Sequence, residues 1–318
     1  MPIIRQEDLD GYSEFVFGPF VGELGWEIQR WAGYVRWFKQ QNPEKKVYIV
    51  TRKGREDLYE GSVDGISSVI FNEDYTQALR PNMYRLDGLQ QVYYDSIISD
   101  IRGWFPNAFL VRPPNSNRRD FFPLNEMDFE FTPRENNYKI ITYILNEHTT
   151  RIPVVIAPRH RLDLGKTNRP RNWIVAYWHS LYETINNTEG YVVFIAGKNP
   201  SYVRPQNKSL SAFYVLEDLV QDVPDVSLIG LTIEAIKSSI VTIGQQSSIP
   251  VLSNLLGTPT IMWGDEKKRH RDIENPRNTQ CTFFKEPSAC YTRLPESIFS
   301  ALTTYCEHLG EGGHDENL

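Results

Sequence analysis

The chain has 318 residues, enough for one large or two medium domains. With 40% hydrophobic and 23% charged residues it has an ordinary globular composition, which excludes collagen-like, coiled-coil and wholly disordered chains. Its 34 basic and 40 acidic side chains give a formal charge of −6, which argues against a strongly basic nucleic-acid binder while leaving room for a local basic patch.

In chain order, Glu14–Phe17 (EFVF) reads as a short apolar strand followed by a glycine-rich turn, Gly18–Gly25. A helix is expected over 26–41, with Ile28, Trp31, Tyr34, Val35 and Phe38 on one face and Pro43 ending it. Lys46–Thr51 reads as a second strand and Ser67–Phe71 as a third, a βαβ rhythm that implies a parallel sheet. Residues 102–125 are rich in Pro, Asn and Arg and read as loop, and a helix is expected near 138–145. The second half repeats the rhythm more cleanly. Strands are expected at 153–157, 191–196, 240–243 and 260–263. Helices are expected at 173–186, 231–238 (with Thr232 as its cap), 249–256 and 295–306. Short elements are marked at 216–219 and 226–229. Strands this apolar are buried on both faces, as in doubly wound sheets. The expected division is an N-terminal domain over 1–150, a C-terminal domain over 151–294, a last helix over 295–309 and a Gly-rich disordered tail over 310–318.

The N-terminal segment has acidic residues and no apolar run, so no secretory signal is expected, and no stretch approaches the roughly 18 apolar residues of a membrane span. Cys281, Cys290 and Cys306 are odd in number and form no CxxC pair, which fits reduced thiols in a cytoplasmic protein. Aromatic residues are abundant, with 16 Phe, 17 Tyr and 7 Trp. Trp31, Tyr34, Phe38, Tyr177 and Phe194 fall on faces expected to be buried. Phe20, Trp26, Trp104, Phe105, Phe121 and Phe122 fall in turns and loops where rings stack on a sugar or base.

Three motifs carry possible chemistry. The first is Gly18–Glu27 (GPFVGELGWE), a turn at the carboxyl end of a strand, where open α/β sheets bind ligands. Glu23 and Glu27 are the candidate catalytic carboxylates, suited to general-base work on an acceptor hydroxyl, and Phe20, Gly22, Trp26 and the distant Arg118 are candidate acceptor-binding residues. The second is the loop after the 153–157 strand. Its Arg159, Arg161 and Lys166, with Arg169 and Arg171 further on, suit a diphosphate that guanidinium groups hold bidentately. Gly197 and Lys198, after the next strand, are further donor-side candidates. The third is Gly244-Gln245-Gln246-Ser247-Ser248, joining a strand to a helix. The N–H groups at that helix start form an anion site, and either serine can cap it. No metal ligand set is read, since no His spacing or Asp-x-Asp motif stands out beyond Asp8-Leu9-Asp10, placed on the surface ahead of the first strand.

In their order, VVIAPRHR, NWIVAYWHSLYETI with GYVVFIAGK, and LIGLTIEAIKSSIVTIGQQSSIPVLSNLLGTPTIMWGD resemble the C-terminal domain of GT-B glycosyltransferases of the heptosyltransferase-like kind. GPFVGELGWE is similar to that family's turn after its first strand, where an acidic residue serves as base, a role that falls here on Glu23. Gln245-Gln246 stand where the family has an acidic residue or Asn before its Ser, and Ile249-Pro250 and Ser253-Asn254 stand where it has Gly and His, so nucleotide-sugar binding carries over and the sugar does not. The resemblance implies an α/β GT-B fold of two Rossmann-like doubly wound domains facing across a cleft. It implies metal-independent transfer of a sugar from a nucleoside diphosphate sugar to the hydroxyl of a glycan, lipid-linked glycan or DNA base, with no cofactor. Three alternatives stay open: a DNA-base transferase using Arg112, Arg118, Arg119 and the Lys267–Arg271 run, a nucleotide-sugar-binding protein without transfer, and a non-hydrolysing epimerase.

Overall fold

In a computed structural model of the protein, the described residues are 4–20, 22, 24–70, 88–113, 122, 126–127, 129–159, 172–188, 190–197, 201–205, 212–220, 223–264, 277–286 and 292–311. The chain divides into two compact units. The first holds residues 1–138 and a returning segment, Asp225–Ile233; the second holds 139–224 and 234–318.

The first unit is built on four parallel strands: β1 (Glu14–Phe17), β2 (Lys46–Arg52), β3 (Gly65–Val69) and β4 (Phe109–Val111), in the spatial order β3-β2-β1-β4. The helical segment after β1 starts as Leu24–Trp26, widens into a π-helical stretch over Glu27–Ala32 and continues as Gly33–Gln41. Ile28, Trp31, Val35 and Phe38 are buried on its sheet face as their spacing requires. Phe17 packs its ring 5.7 Å from that of Trp31 and 5.0 Å from that of Phe38. The helix ends where the Asn42 side-chain amide donates to the Phe38 carbonyl at 2.9 Å, just before Pro43.

The second unit has six parallel strands: β5 (Ile152–Ala157), β6 (Tyr191–Ile195), β7 (Phe213–Val215), β8 (Val241–Gln245), β9 (Thr260–Gly264) and β10 (Cys281–Lys285). Their order is β10-β9-β8-β5-β6-β7, the full doubly wound order with its reversal between β5 and β8. Trp173, Trp178, Tyr182 and Trp263 are buried between the sheet and its helices, with the Trp173 and Trp263 ring centres 4.7 Å apart.

Several expectations shift. The third strand lies two residues earlier than expected, at 65–69. Residues 102–125 are not all loop: Arg102–Trp104 close a helix, Gly88–Trp104, and Phe109–Val111 form β4. That helix buries Tyr94, Ile97, Ile98 and Ile101, a 3.6-period stripe. Leu216–Leu219 is a helix. The helix expected from Leu231 starts at Leu228 and runs to Lys237, so Thr232 lies inside it, with its hydroxyl donating to the Leu228 carbonyl at 2.6 Å. Ser227 caps that helix instead, its hydroxyl accepting the Gly230 N–H at 2.9 Å. The last helix runs from Pro295 to Glu311, into the stretch expected to be disordered; residues 312–318 lie outside the described set. Among the described residues no helix is long and apolar enough to cross a membrane.

Candidate functional site

Both sheets present loops at their topological reversals. In the second unit that place lies between β5 and β8, where Ala157 is level with Gly244. The strands come so close there that a Cβ on Gly244 would lie 2.9 Å from the Ala157 carbonyl oxygen and 3.0 Å from Pro250 Cγ. Beyond the strand ends, the backbone N–H of Arg159 donates to Gln245 Oε1 at 2.9 Å, which ties the second motif to the third. Gln245 and Gln246 are both fully buried. The Gln246 N–H donates to the Trp263 carbonyl at 2.9 Å, and a Cβ on Gly264 would lie 2.6 Å from Gln246 Cβ. Gln246 therefore fills the space above β9, while Gln245 fastens the β5 loop.

The helix Ser248–Leu256 begins directly after β8. Ser247 holds the N-cap place in extended backbone and makes no capping hydrogen bond with its side chain. Pro250 brings no N–H to the first turn, so the N–H groups of that turn are those of Ser248 and Ile249. Gly197, half-buried, follows β6 with φ +90°, a left-handed conformation suited to glycine. Arg161, Lys166, Lys198, His160, Arg169 and Arg171 lie outside the described residues.

In the first unit the reversal lies between β1 and β4, where the Gly18 N–H donates to the Val111 carbonyl at 2.9 Å. Gly18 has φ +118°, and a Cβ there would lie 2.2 Å from the Val50 carbonyl oxygen, so this first position of the turn admits glycine alone. Glu23 lies outside the described residues; Gly22 before it is buried and Leu24 after it opens the helix.

The second carboxylate corrects the expectation set for it. Glu27 is 0% exposed. Its Oε1 accepts the Thr51 hydroxyl at 2.9 Å and the Tyr59 hydroxyl at 2.7 Å, and its Oε2 is paired with Arg55. Burial, with Glu27 as the nearest charge, pushes the Tyr59 phenol well above its ordinary range and keeps it a donor. Glu27 thus anchors the turn and offers no oxygen to an incoming hydroxyl.

The aromatic minority also divides. Phe20 is buried, 6.3 Å from Trp31, and so belongs to the core edge rather than to an open face. Phe105 is half-buried against Tyr48 at 4.9 Å. Trp104 is exposed. Trp26 and Phe122 are half-buried and share one cation: the buried Arg30 guanidinium lies 5.4 Å from the Trp26 ring and 5.9 Å from the Phe122 ring. Arg118 and Phe121 lie outside the described residues, as do Arg119 and Lys267–Arg271, whereas Arg112 is described and exposed at the end of β4.

Sequence reasoning missed the buried long-range polar contacts of the first unit. Besides Arg55, Thr51 and Tyr59, Asp57 is fully buried and accepts the Arg134 backbone N–H at 2.8 Å and its guanidinium at 3.0 and 3.2 Å, together with the Ser227 hydroxyl. Among the described residues no group of three or more His, Cys, Asp and Glu is placed to hold a metal ion. Asp8 of the Asp-Leu-Asp pair is buried and bonded to Arg5 rather than lying free on the surface, and Asp10 accepts from Gln6 at 3.0 Å.

No protein-family model matches the sequence, and no curated protein matches it. Solved structures do. A family 9 glycosyl transferase from Veillonella parvula is similar over 93% of this chain and 98% of its own, with a TM-score of 0.57 at 9% identity. The E. coli ADP-heptose lps heptosyltransferase II is similar over 94% and 99%, with a TM-score of 0.56 at 11% identity. The E. coli heptosyltransferase WaaC with ADP is similar over 92% and 99%, with a TM-score of 0.51 at 11% identity. With two Rossmann-like parallel sheets and this likeness along nearly its whole length, the chain has the GT-B fold of the heptosyltransferase-like structures.

Proposed function

We propose that the protein is a metal-independent glycosyltransferase that moves a sugar from a nucleoside diphosphate sugar to an acceptor hydroxyl. The observation that supports this most is the joining of Arg159 to Gln245 at the reversal of the six-stranded sheet, beside the start of the Ser248–Leu256 helix. A diphosphate resting there meets the Ser248 and Ile249 amides, the positive end of the helix dipole and the Arg159 guanidinium. Charge that grows on the leaving diphosphate as the glycosidic bond breaks is stabilised by these fixed donors. Arg161, Lys166, Gly197 and Lys198 extend the same side. Glu23, on the β1 turn of the first unit, takes the proton from the acceptor hydroxyl as that oxygen attacks the anomeric carbon. Trp26, Phe122 and Gly22 border that turn and receive the acceptor.

The test begins with thermal shifts against a panel of nucleoside diphosphate sugars. A ligand at 100 times its Kd stabilises by about 2.7 kcal/mol. No shift with any of them would overturn the reading. Arg159→Ala removes a charge-assisted contact worth about 1.5–3 kcal/mol, so donor affinity should fall by about 10–100-fold. Glu23→Gln should bind donor normally and lose transfer. Donor binding with no transfer to any acceptor would favour a binding protein, and a steep loss of affinity for DNA with salt would favour a DNA-base acceptor.

A further inference from the structure

At the reversal of the six-stranded sheet, β5 and β8 run in register from Val154 beside Val241 to Ala157 beside Gly244, and the pairing stops there. The next residue after β5 is Pro158. Proline has no N–H, so it cannot donate to a further rung of the ladder. The next N–H belongs to Arg159, and its acceptor is a side chain, Gln245 Oε1, at 2.9 Å. Gln245 is the last residue of β8, level with Trp263 of β9 and fully buried. Its amide oxygen thus does the work of a strand carbonyl and holds the chain for one further step after the pairing has ended. The seam below it is tight, since a Cβ on Gly244 would lie 2.9 Å from the Ala157 carbonyl oxygen.

Resting on the glycosyl-transfer reading above, we propose that Gln245 is a positioning residue for donor binding. The composition of its turn places it among the donor's own contacts; the geometry turns its oxygen to the β5 loop instead. By holding the Arg159 N–H it fixes the point from which the Arg159 side chain leaves the backbone, at the same reversal where the Ser248–Leu256 helix begins three residues later. A cation whose backbone is fixed needs less ordering when an anion arrives, so the tie contributes to affinity through Arg159. A merely structural hydrogen bond would support the fold and leave donor affinity unchanged.

The test is a double-mutant cycle on the full chain, with Gln245→Met and Arg159→Ala. Methionine fills a similar volume in the buried seam but offers no oxygen to the Arg159 N–H. Alanine at 159 removes the guanidinium and keeps the N–H. The probe is the nucleoside diphosphate sugar that gives the wild type its largest thermal shift, titrated well below the melting temperature of each variant. Gln245→Met alone should weaken its binding about 10-fold. Added to Arg159→Ala it should weaken binding no further, to within about 2-fold. It should still lower the melting temperature there, because the N–H that loses its acceptor is present in both backgrounds. Wild-type affinity in Gln245→Met would overturn the proposal. So would an equal loss of affinity on top of Arg159→Ala, which would make Gln245 a contact of the donor in its own right. A wild-type chain that binds no nucleoside diphosphate sugar would overturn the transfer reading, and the proposal falls with it.

Discussion

Replacing Tyr59 with Phe removes one oxygen and nothing else. Tyr59 is fully buried, and its hydroxyl donates to the Glu27 carboxylate at 2.7 Å, so the ring keeps its packing while the carboxylate loses one of its donors. A hydrogen bond to a charged group contributes about 1.5–3 kcal/mol, and here the Thr51 hydroxyl at 2.9 Å and Arg55 remain to limit the damage. Taking about 2–4 °C per kcal/mol for a unit of roughly 150 residues, the first unit should melt about 3–12 °C lower. Calorimetry on the full chain can follow it, with Tyr12→Phe as the control, since Tyr12 is 41% exposed and should change stability by no more than about 0.5 kcal/mol. Equal melting of Tyr59→Phe and Tyr12→Phe would refute the buried-carboxylate cage, and with it the account of how the β1 turn is held.

Other outcomes follow from the same geometry. Gly18→Ala places a methyl group 2.2 Å from the Val50 carbonyl oxygen at φ +118°. It should cost about 3 kcal/mol or more by urea midpoint, and a loss under about 1 kcal/mol would refute the close approach. Alkaline titration should destabilise the fold. Tyr59 is held well above the ordinary 10.0 by burial, and burial pushes Tyr94 up to about 12. Raised acids keep their stabilising effect below the unfolded value and lose it above, so unfolding free energy should be flat up to pH ~10 and fall beyond it. A pH 11 urea midpoint equal to that at pH 8 would contradict this.

The strands of the second unit are legible because parallel strands buried on both faces must be continuous apolar runs, as PVVIA, YVVFI and TIMW are. The edge strands escape for the converse reason. CTFFK and FYV are covered on fewer sides and carry polar or half-buried residues, so no pattern separates them from loop. The stripe of Tyr94, Ile97, Ile98 and Ile101 has a helical period, but the Pro- and Asn-rich stretch that follows carries the loop signature back over the helix's last turn. The two turns that carry the candidate residues were legible because they are local. The glycine turn follows β1 and the Gln-Ser-Ser turn follows β8, whose last residue is Gln245, so both sit at strand ends as their composition requires. The roles of Glu27 and Asp57 were not. A glutamate four residues after another reads as a second surface acid, and only Arg55 and Tyr59, some 30 positions away, make it an anchor. Asp57 meets Ser227 across 170 positions, a distance that no local signal spans.

The returning segment Asp225–Ile233 has a consequence for how this chain can be taken apart. The first unit is not a contiguous stretch of polypeptide. Its buried Asp57 takes a donor from Ser227, and Asn137 accepts the Ser227 N–H at 3.1 Å. A single cut near residue 150 therefore yields an N-terminal piece that lacks part of its own interior, and a C-terminal piece that carries it as a stray. The helix Leu228–Lys237 begins among the residues of one unit and finishes among those of the other, so no cut that spares helices returns each unit its full complement. Exchanging the second unit between relatives of this fold would have to leave residues 225–233 with the first unit. The first unit is therefore completed only by an intact chain.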